Sequence, residues 1–222
     1  MQEEIHHLLH DVPDSADYAV DVSELDPEDI PLERVVQVLK LLDSADVDVR
    51  FSAARILCSW GYEEGLVVLE SFIDDPSRME GFFTHRLHGF DDTPRFVLSA
   101  LTSFVANNAG QGRGAYAHER VHDSILTIIN MAKEHPFMLG YFLCLIKHDQ
   151  YQEFIPALKD LLAVIVDKGD EYYWNIKDLV ALLIGFDPIF VYKLFLLKGK
   201  TYSDFNLKNN GQVLDGWSVN HE

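Results

Sequence analysis

A short string of residues near the middle of the chain has the spacing of a zinc-protease motif. His118, Glu119 and His122 form an HExxH string on a predicted helix. Two histidines four residues apart lie on one face of a helix, where they can bind zinc together while the glutamate acts as general base. This string is the clearest catalytic candidate in the sequence.

Three features argue against zinc chemistry at the HExxH string. Charged Arg120 and Asp123 interrupt the apolar surroundings that are typical of the motif. A third ligand is required, and Glu134 and Glu153 come with no supporting motif. The chain has 10 histidines, so a chance match is readily obtained. We therefore predict a protein that is not an enzyme and has no metal or cofactor site, with a zinc hydrolase as the remote alternative.

The elements of the chain, including the one that contains this string, are predicted to be helical, and the pattern is clearest in residues 31–61. Apolar residues recur at helical spacing on both sides of an acidic turn, DSADVD, in which Asp46 or Asp48 can cap the second helix. The first stripe comprises Leu32, Val35, Val36, Leu39 and Leu42, and the second comprises Val49, Ala53, Ile56, Leu57 and Trp60. No period-two pattern typical of strands appears, so the sequence predicts an all-α fold.

These two helices resemble the consensus of a HEAT repeat. The resemblance is carried by Leu39, Leu42, Asp43, Val49, Arg50, Ala53, Ala54 and Leu57. In HEAT repeats the turn aspartate and the second-helix arginine pair across neighbouring units. The step Arg50-Phe51 recurs as Arg95-Phe96, within the period of such repeats, and the first-helix pattern returns at Phe154. The resemblance implies a HEAT-like right-handed stack of about four antiparallel helix pairs with an acidic N-terminal arm.

Three regions are predicted along the chain. Residues 1–30 are an acidic lead-in that Val20, Val22, Leu25 and Ile30 can pin to the first helices. Residues 31–200 form the helical repeat domain, and residues 201–222 form an irregular tail in which Phe205, Leu214 and Trp217 are candidates for docking. Within the repeat domain, the glycine-rich string NNAGQGRG at residues 107–114 predicts a flexible loop.

The two cysteines and the N-terminal residues indicate the cellular compartment in which the protein is expected. Cys58 and Cys144 both lie in apolar helical patterns, which predicts two buried free thiols. The first residues lack the basic and apolar regions of a signal peptide, and no apolar run reaches the roughly 18 residues of a membrane span. We expect a cytoplasmic protein.

The charge of the chain is strongly negative and unevenly distributed. Asp and Glu total 36 against 18 Lys and Arg, and residues 1–30 contain ten acidic residues with no Lys or Arg. A surface of this sign repels nucleic-acid backbones and anionic membranes, and it attracts basic partners. We therefore expect no direct binding of nucleic acid or membrane.

The acidic residues that we predict to bind a partner fall in two places. Turns between the helices of stacked hairpins emerge on one edge, and on that edge the sequence places Asp43, Asp46, Asp48, Asp74, Asp75, Asp91 and Asp92. The lead-in adds Asp14, Asp17, Asp21 and Glu24. Together they predict a docking surface for a basic protein.

In size, helix pattern and acidity the chain also resembles HEAT-like immunity proteins of bacterial contact-dependent growth-inhibition systems. This resemblance implies a monomer that forms a 1:1 complex with a basic toxin nuclease, such as an RNase of the EndoU type, and inhibits it by covering its active or substrate-binding surface. The alternative is a HEAT-repeat scaffold or adaptor that binds a peptide or protein through its concave helices.

Overall fold

The structure, a computed structural model, describes residues 2–85, 87, 89–148 and 150–207. Within these ranges the chain forms α-helices and short 3-10 helices, and the only β-type pairing is an isolated antiparallel bridge between Thr84 and Asp91. The prediction of an all-α fold is confirmed.

The α-helices of the described residues number ten. They are α1 (Gln2–His10), α2 (Leu32–Leu41), α3 (Val47–Ser59), α4 (Glu63–Ile73), α5 (Thr93–Gly110), α6 (Gly114–Met131), α7 (Gly140–Lys147), α8 (Ile155–Ile165), α9 (Tyr173–Phe186) and α10 (Pro188–Lys198). They belong to two compact units that divide between Met131 and Ala132, so that unit 1 contains α1–α6 and unit 2 contains α7–α10. The predicted boundaries at residues 30 and 200 stay predictions.

Unit 1 is built around α3. Helices α2, α4 and α5 all pack against α3, and α6 packs against α4 and α5. Every residue from Ala53 to Trp60 is buried, which is the pattern of a central helix. Asp46 caps α3, since its carboxylate accepts hydrogen bonds from the backbone N–H groups of Asp48 and Val49, as the sequence predicts.

Residues 11–30, which we call the N-terminal segment, belong to the core of unit 1. Val22 and Leu25 are buried against α2 and α3, as predicted, and Ala16 joins them. The indole N–H of Trp60 donates to the carbonyl of Val22 at 2.9 Å. Val20, by contrast, is exposed, so its predicted pinning role is wrong.

Helix α2 buries only part of the predicted stripe, since Val35, Leu39 and Leu42 pack into the core but the rest of the stripe does not. Val35 and Val38 are buried in the cluster that joins α1, α2 and α3. Leu32 is 73% exposed and Val36 is also exposed. The reason is that α1 and α3 both pack on the Val35–Val38 side, which leaves the Leu32 side to solvent.

Helix α5 continues through the first half of the predicted flexible loop, and α6 begins at its last residue. The side-chain amide of Asn107 donates to the Ser59 carbonyl at 2.6 Å, and that of Asn108 donates to the Gly61 carbonyl at 3.1 Å. These bonds give partners to carbonyls at the end of α3 and hold the last turns of α5. The loop between α5 and α6 is reduced to Gln111, Gly112 and Arg113.

Unit 2 is centred on α9, which packs against α7, α8 and α10. Asn175 on α9 is buried and donates to the Phe137 carbonyl at 2.7 Å. Cys144 is exposed because α7 buries its opposite side, so the prediction for this thiol is wrong, whereas Cys58 in unit 1 is buried. Phe205 is buried as predicted, and Leu214 and Trp217 lie outside the described residues.

Candidate functional site

Contacts among α3, α4 and α5 determine where the predicted edge acids lie. Helices α3 and α5 run in the same direction. The Cys58 sulfur of α3 lies 3.6 Å from the Ala100 carbonyl oxygen of α5, and Asn107, later in α5, donates to the carbonyl of Ser59, later in α3. Helix α4 runs oppositely, because Phe51 near the start of α3 meets Phe72 near the end of α4. The turns before α3 and before α5 therefore emerge at one end of unit 1.

We call this surface the acidic end of unit 1; it comprises Asp43, Asp46, Asp48, Asp74, Asp75, Asp91 and Asp92. Asp43, Asp48, Asp74 and Asp75 are exposed. Asp46 is exposed too, although its carboxylate caps α3. The structure thus brings together at one end acids that lie up to 49 positions apart, Asp43 to Asp92.

Asp91 and Asp92, just before α5, are also held by structural contacts. Asp91 accepts hydrogen bonds from the backbone N–H groups of Gly81 and Thr93 at 3.1 and 2.9 Å, which closes the loop before α5. Asp92 is only 3% exposed and pairs with Arg95 at 3.0 Å. A buried and paired carboxylate is poorly placed to meet a partner.

Arginines offset part of the negative charge of the acidic end. Arg50 and Arg78 both lie over the Phe72 ring, at 5.9 and 5.3 Å from its centroid. Arg50 also donates to the Ser44 carbonyl in its own turn. The inter-repeat pairing that the HEAT resemblance implies for this arginine is not among its described contacts. With Arg95, three arginines stand beside seven acids, so this end is less negative than its acids alone suggest.

The N-terminal segment is held on α3 by Arg55. This side chain is 5% exposed, and its guanidinium donates to both carboxylate oxygens of Asp21 at 3.1 and 3.2 Å and to the Ser23 hydroxyl at 2.8 Å. It also lies over the rings of Phe83 and Phe96. The partial burial of Asp21 alone would raise its pKa, but Arg55 and hydrogen bonds from Ser23 reverse this effect and lower the pKa.

Several other acids of the N-terminal segment remain open to solvent. Asp14 and Asp17 are exposed, and Glu24 is exposed while its carboxylate accepts from the backbone N–H groups of Val20 and Asp21. Asp26 and Glu28 are exposed as well. No Lys or Arg occurs within residues 1–30. The outer surface of the segment is therefore negative and fixed to α3, with Asp21 as the acid that binds inward.

Sequence reasoning missed Arg55 and the cluster of phenylalanines beside it, of which Phe83 and Phe96 lie under its guanidinium. Phe82 stacks on Phe51 with centroids 3.9 Å apart, and Phe83 packs on Phe96 at 4.1 Å. The available signal was an arginine within an otherwise apolar run, Ala53 to Cys58. A charged residue at such a position needs a partner when the helix is buried.

The HExxH string has structural contacts on α6. Arg120 within it donates to Glu63 at 2.7 Å and to Glu70 at 2.5 Å, which ties α6 to α4. His122 lies 2.9 Å from the carboxylate of the neighbouring Asp123. Among the residues that the structure describes, no group of three or more His, Cys, Asp and Glu side chains is placed to hold a metal ion.

Comparison with known proteins finds no family model, no curated sequence and no solved structure that matches the chain. Across the described ranges, no helix combines the length and apolar character needed to cross a bilayer.

Proposed function

We propose that this protein is an acidic, cytoplasmic binding protein that neutralises a basic protein partner. The observation that supports it best is the N-terminal segment, which is fixed to α3 through Asp21 and Arg55 and presents Asp14, Asp17 and Glu24 to solvent. The protein acts by occupying a surface and performs no chemistry of its own.

Order in the N-terminal segment matters for this function. Buried Val22 and Leu25, with the bond from Trp60, fix the backbone that carries the exposed acids. A surface that is already ordered loses less conformational entropy on binding than a mobile arm. Its charge speeds encounter with a basic partner and disfavours acidic competitors.

The partner class that we propose is a toxin nuclease domain, such as an RNase of the EndoU type, and the protein is its immunity protein in a contact-dependent inhibition system. Nucleases bind a polyanion and need positive surfaces to do so. An acidic surface can cover that region in a 1:1 complex and keep the substrate out. The helical resemblance in the sequence supports the same class of inhibitor.

A HEAT-like stack is the arrangement that we propose for the helices. In unit 1 the packing of α2 on α3, α3 on α4 and α5, and α5 on α6 is what successive antiparallel pairs would give. In such a stack the acidic end of unit 1 would be the edge at which the turns between helices emerge. The N-terminal segment would cover the first helix pair, α2 and α3.

Charge reversal tests the proposed docking surface. Binding to candidate nuclease toxin domains is measured by calorimetry for Asp14→Lys/Asp17→Lys and for Asp43→Lys/Asp74→Lys. The control, Asp170→Lys/Glu171→Lys, reverses two exposed acids of unit 2. We expect the first pair to weaken binding about tenfold or more at low salt, the second pair to weaken it less, and the control to leave it unchanged.

Co-expression of the toxin domain and the protein gives the biological readout, which is rescue of growth. Equal binding by all three double variants, or binding that does not respond to salt, would overturn electrostatic docking. Failure of every nuclease toxin to bind would overturn the partner class.

A further inference from the structure

Helix α10 is apolar on all sides, yet half of it faces solvent. Val191, Leu194 and Phe195 are buried in unit 2. Leu196 is 71% and Leu197 80% exposed, and Ile189 and Tyr192 are exposed with them. A helix that is hydrophobic all round is normally buried, and contiguous exposed apolar surface marks an interaction site.

The exposed residues share one side of the helix. Ile189, Tyr192 and Leu196 are spaced by three and four residues, so they form one stripe, and Leu197 lies beside it. We call these four residues together with Lys193 the outer face of α10. A groove of about 420 Å³ adjoins its C-terminal end and is lined in part by Tyr192, Leu196, Tyr202 and Leu207.

The charge of this face differs from that of the rest of the protein. Residues 188–200 contain three lysines and no acid, in a chain of net charge −18. Lys198 and Lys200 pair with Asp167, whereas Lys193 is exposed and has no ion pair among the described residues. The outer face is therefore apolar with one positive charge, which adds to the hydrogen bond from Lys159 in lowering the pKa of the nearby Asp187 carboxyl but forms no salt bridge among the described residues.

The position of Lys193 argues against a second copy of the chain as the occupant. Lys193 is the sixth of the eleven residues in α10 and is thus its midpoint. Two such helices that pair antiparallel about a two-fold axis through their midpoints would bring Lys193 of each copy together at the axis. Like charges at the centre of an apolar interface are strongly unfavourable.

We propose that the outer face of α10 binds an amphipathic helix of a partner protein that carries a carboxylate opposite Lys193. Leucine-type residues of the partner at i, i+3 or i+4, and i+7 would cover Ile189, Tyr192 and Leu196, and one apolar side chain would enter the adjoining groove. This surface belongs to unit 2, whereas the acidic surfaces belong to unit 1. It would give the protein a second, adaptor-like binding activity.

Two synthetic helical peptides test the proposal with the full-length chain. They share leucines at i, i+4 and i+7 and differ in one central residue, Glu or Lys, and binding is measured by fluorescence anisotropy. We expect the Glu peptide to bind about fivefold more tightly than the Lys peptide. Lys193→Glu is expected to reverse this preference, because the pairing then changes sign.

Apolar contact is tested with Leu197→Glu and its control Val67→Glu, which changes an exposed valine of α4. The first variant should lose about tenfold or more in affinity for the Glu peptide, and the second should bind as the wild type does. Asp14→Lys/Asp17→Lys should also leave peptide binding unchanged, which separates this proposal from the proposed function.

Three results would overturn the proposal. They are failure to bind either peptide, equal binding of the two peptides by wild type and Lys193→Glu, and self-association of the wild type that Leu197→Glu abolishes. The last result would assign the face to a second copy.

Discussion

At the scale of single residues, Arg55 decides how the N-terminal part of unit 1 is held. It is a cation inside the central helix, where an unpaired charge would be very unfavourable. Asp21, Ser23 and two aromatic rings surround its guanidinium, and its Nε is buried without a hydrogen-bond partner among the described residues. The planar fork of arginine suits this combination of a carboxylate and ring faces.

We expect Arg55→Ala to destabilise the protein by about 2–3 kcal/mol. Breaking a buried pair is usually more harmful, but the Asp21 side chain keeps 38% of its surface exposed and remains solvated. Urea unfolding followed by circular dichroism measures the change. The control, Arg113→Ala, removes an exposed arginine whose side chain hydrogen-bonds only Gln111 among the described residues, and it should change stability by less than about 0.5 kcal/mol.

The same comparison has a pH dependence with a defined sign. Since the folded pKa of Asp21 is lowered, the stability it contributes is present above the ordinary carboxyl pKa of about 4 and is lost as pH falls through the folded pKa. The difference between wild type and Arg55→Ala should therefore shrink in acid. Equal stability of the Arg55 and Arg113 variants at neutral pH would contradict the role assigned to Arg55.

At the scale of helices, α4 approaches α3 very closely at Gly65. A Cβ placed on Gly65 would lie 2.5 Å from the backbone nitrogen of Cys58 and 2.8 Å from the carbonyl of Ala54. Both are backbone atoms that cannot move aside without shifting a helix. Gly65 therefore sets the distance between two central helices.

We expect Gly65→Ala to destabilise the protein by about 1–3 kcal/mol through overpacking. The matched control is Gly185→Ala on α9, where a new Cβ meets nothing within 4 Å; it should stabilise by about 0.5–1 kcal/mol because alanine favours the helix. Thermal unfolding of both variants measures the effects. Stabilisation by both substitutions would show that α3 and α4 can separate at no cost.

Local patterns within single helices were enough to predict much of the fold. The buried residues of α3 and the cap at Asp46 were predictable because spacing and cap chemistry are local properties. The exposure of Leu32 was not predictable, since it depends on which side of α2 receives α1. The bonds from Asn107 and Asn108 to the end of α3 join residues 47 or 48 positions apart, and local turn propensity predicts a loop there instead.

The candidate site was predictable to a smaller degree for the same reason. Charge composition identified the acidic N-terminal residues and turns, but Asp21 and Asp92 point to arginines of the same chain and not outward. Which acids are used internally depends on tertiary contacts, such as the one from Asp21 to Arg55. The exposed face of α10 was not predictable either, because an apolar helix is expected to be buried in the core.

At the scale of the whole molecule, the two thiols lie in different units and differ in their accessibility to solvent. Burial raises the pKa of the Cys58 thiol, and its sulfur contacts the Ala100 carbonyl inside unit 1. Cys144 lies exposed on α7 of unit 2. Thiolate formation and access both govern cysteine reactivity, so the two residues should react at very different rates.

We expect one thiol of the native protein to react with a disulfide reagent within minutes and the second to react only when unit 1 opens. Absorbance measures the number of thiols, and mass spectrometry of Cys144→Ser assigns the slow one. The reaction of Cys58 should accelerate in Arg55→Ala, because the loss of global stability raises the open population. Fast reaction of both thiols in the native state would contradict the burial of Cys58.

The contact between Asp21 and Arg55 also has a consequence for biosynthesis. The ribosome makes the N-terminal segment before α3, since the arginine that holds it comes 34 residues after Asp21 and Trp60 follows Val22 by 38 residues. Until α3 has left the exit tunnel, an acidic stretch with exposed Val22 and Leu25 has nothing to bind. The segment can therefore pack only after α3 has been made, and a slow stretch of translation before α3 would lengthen the time for which the segment stays open to proteases.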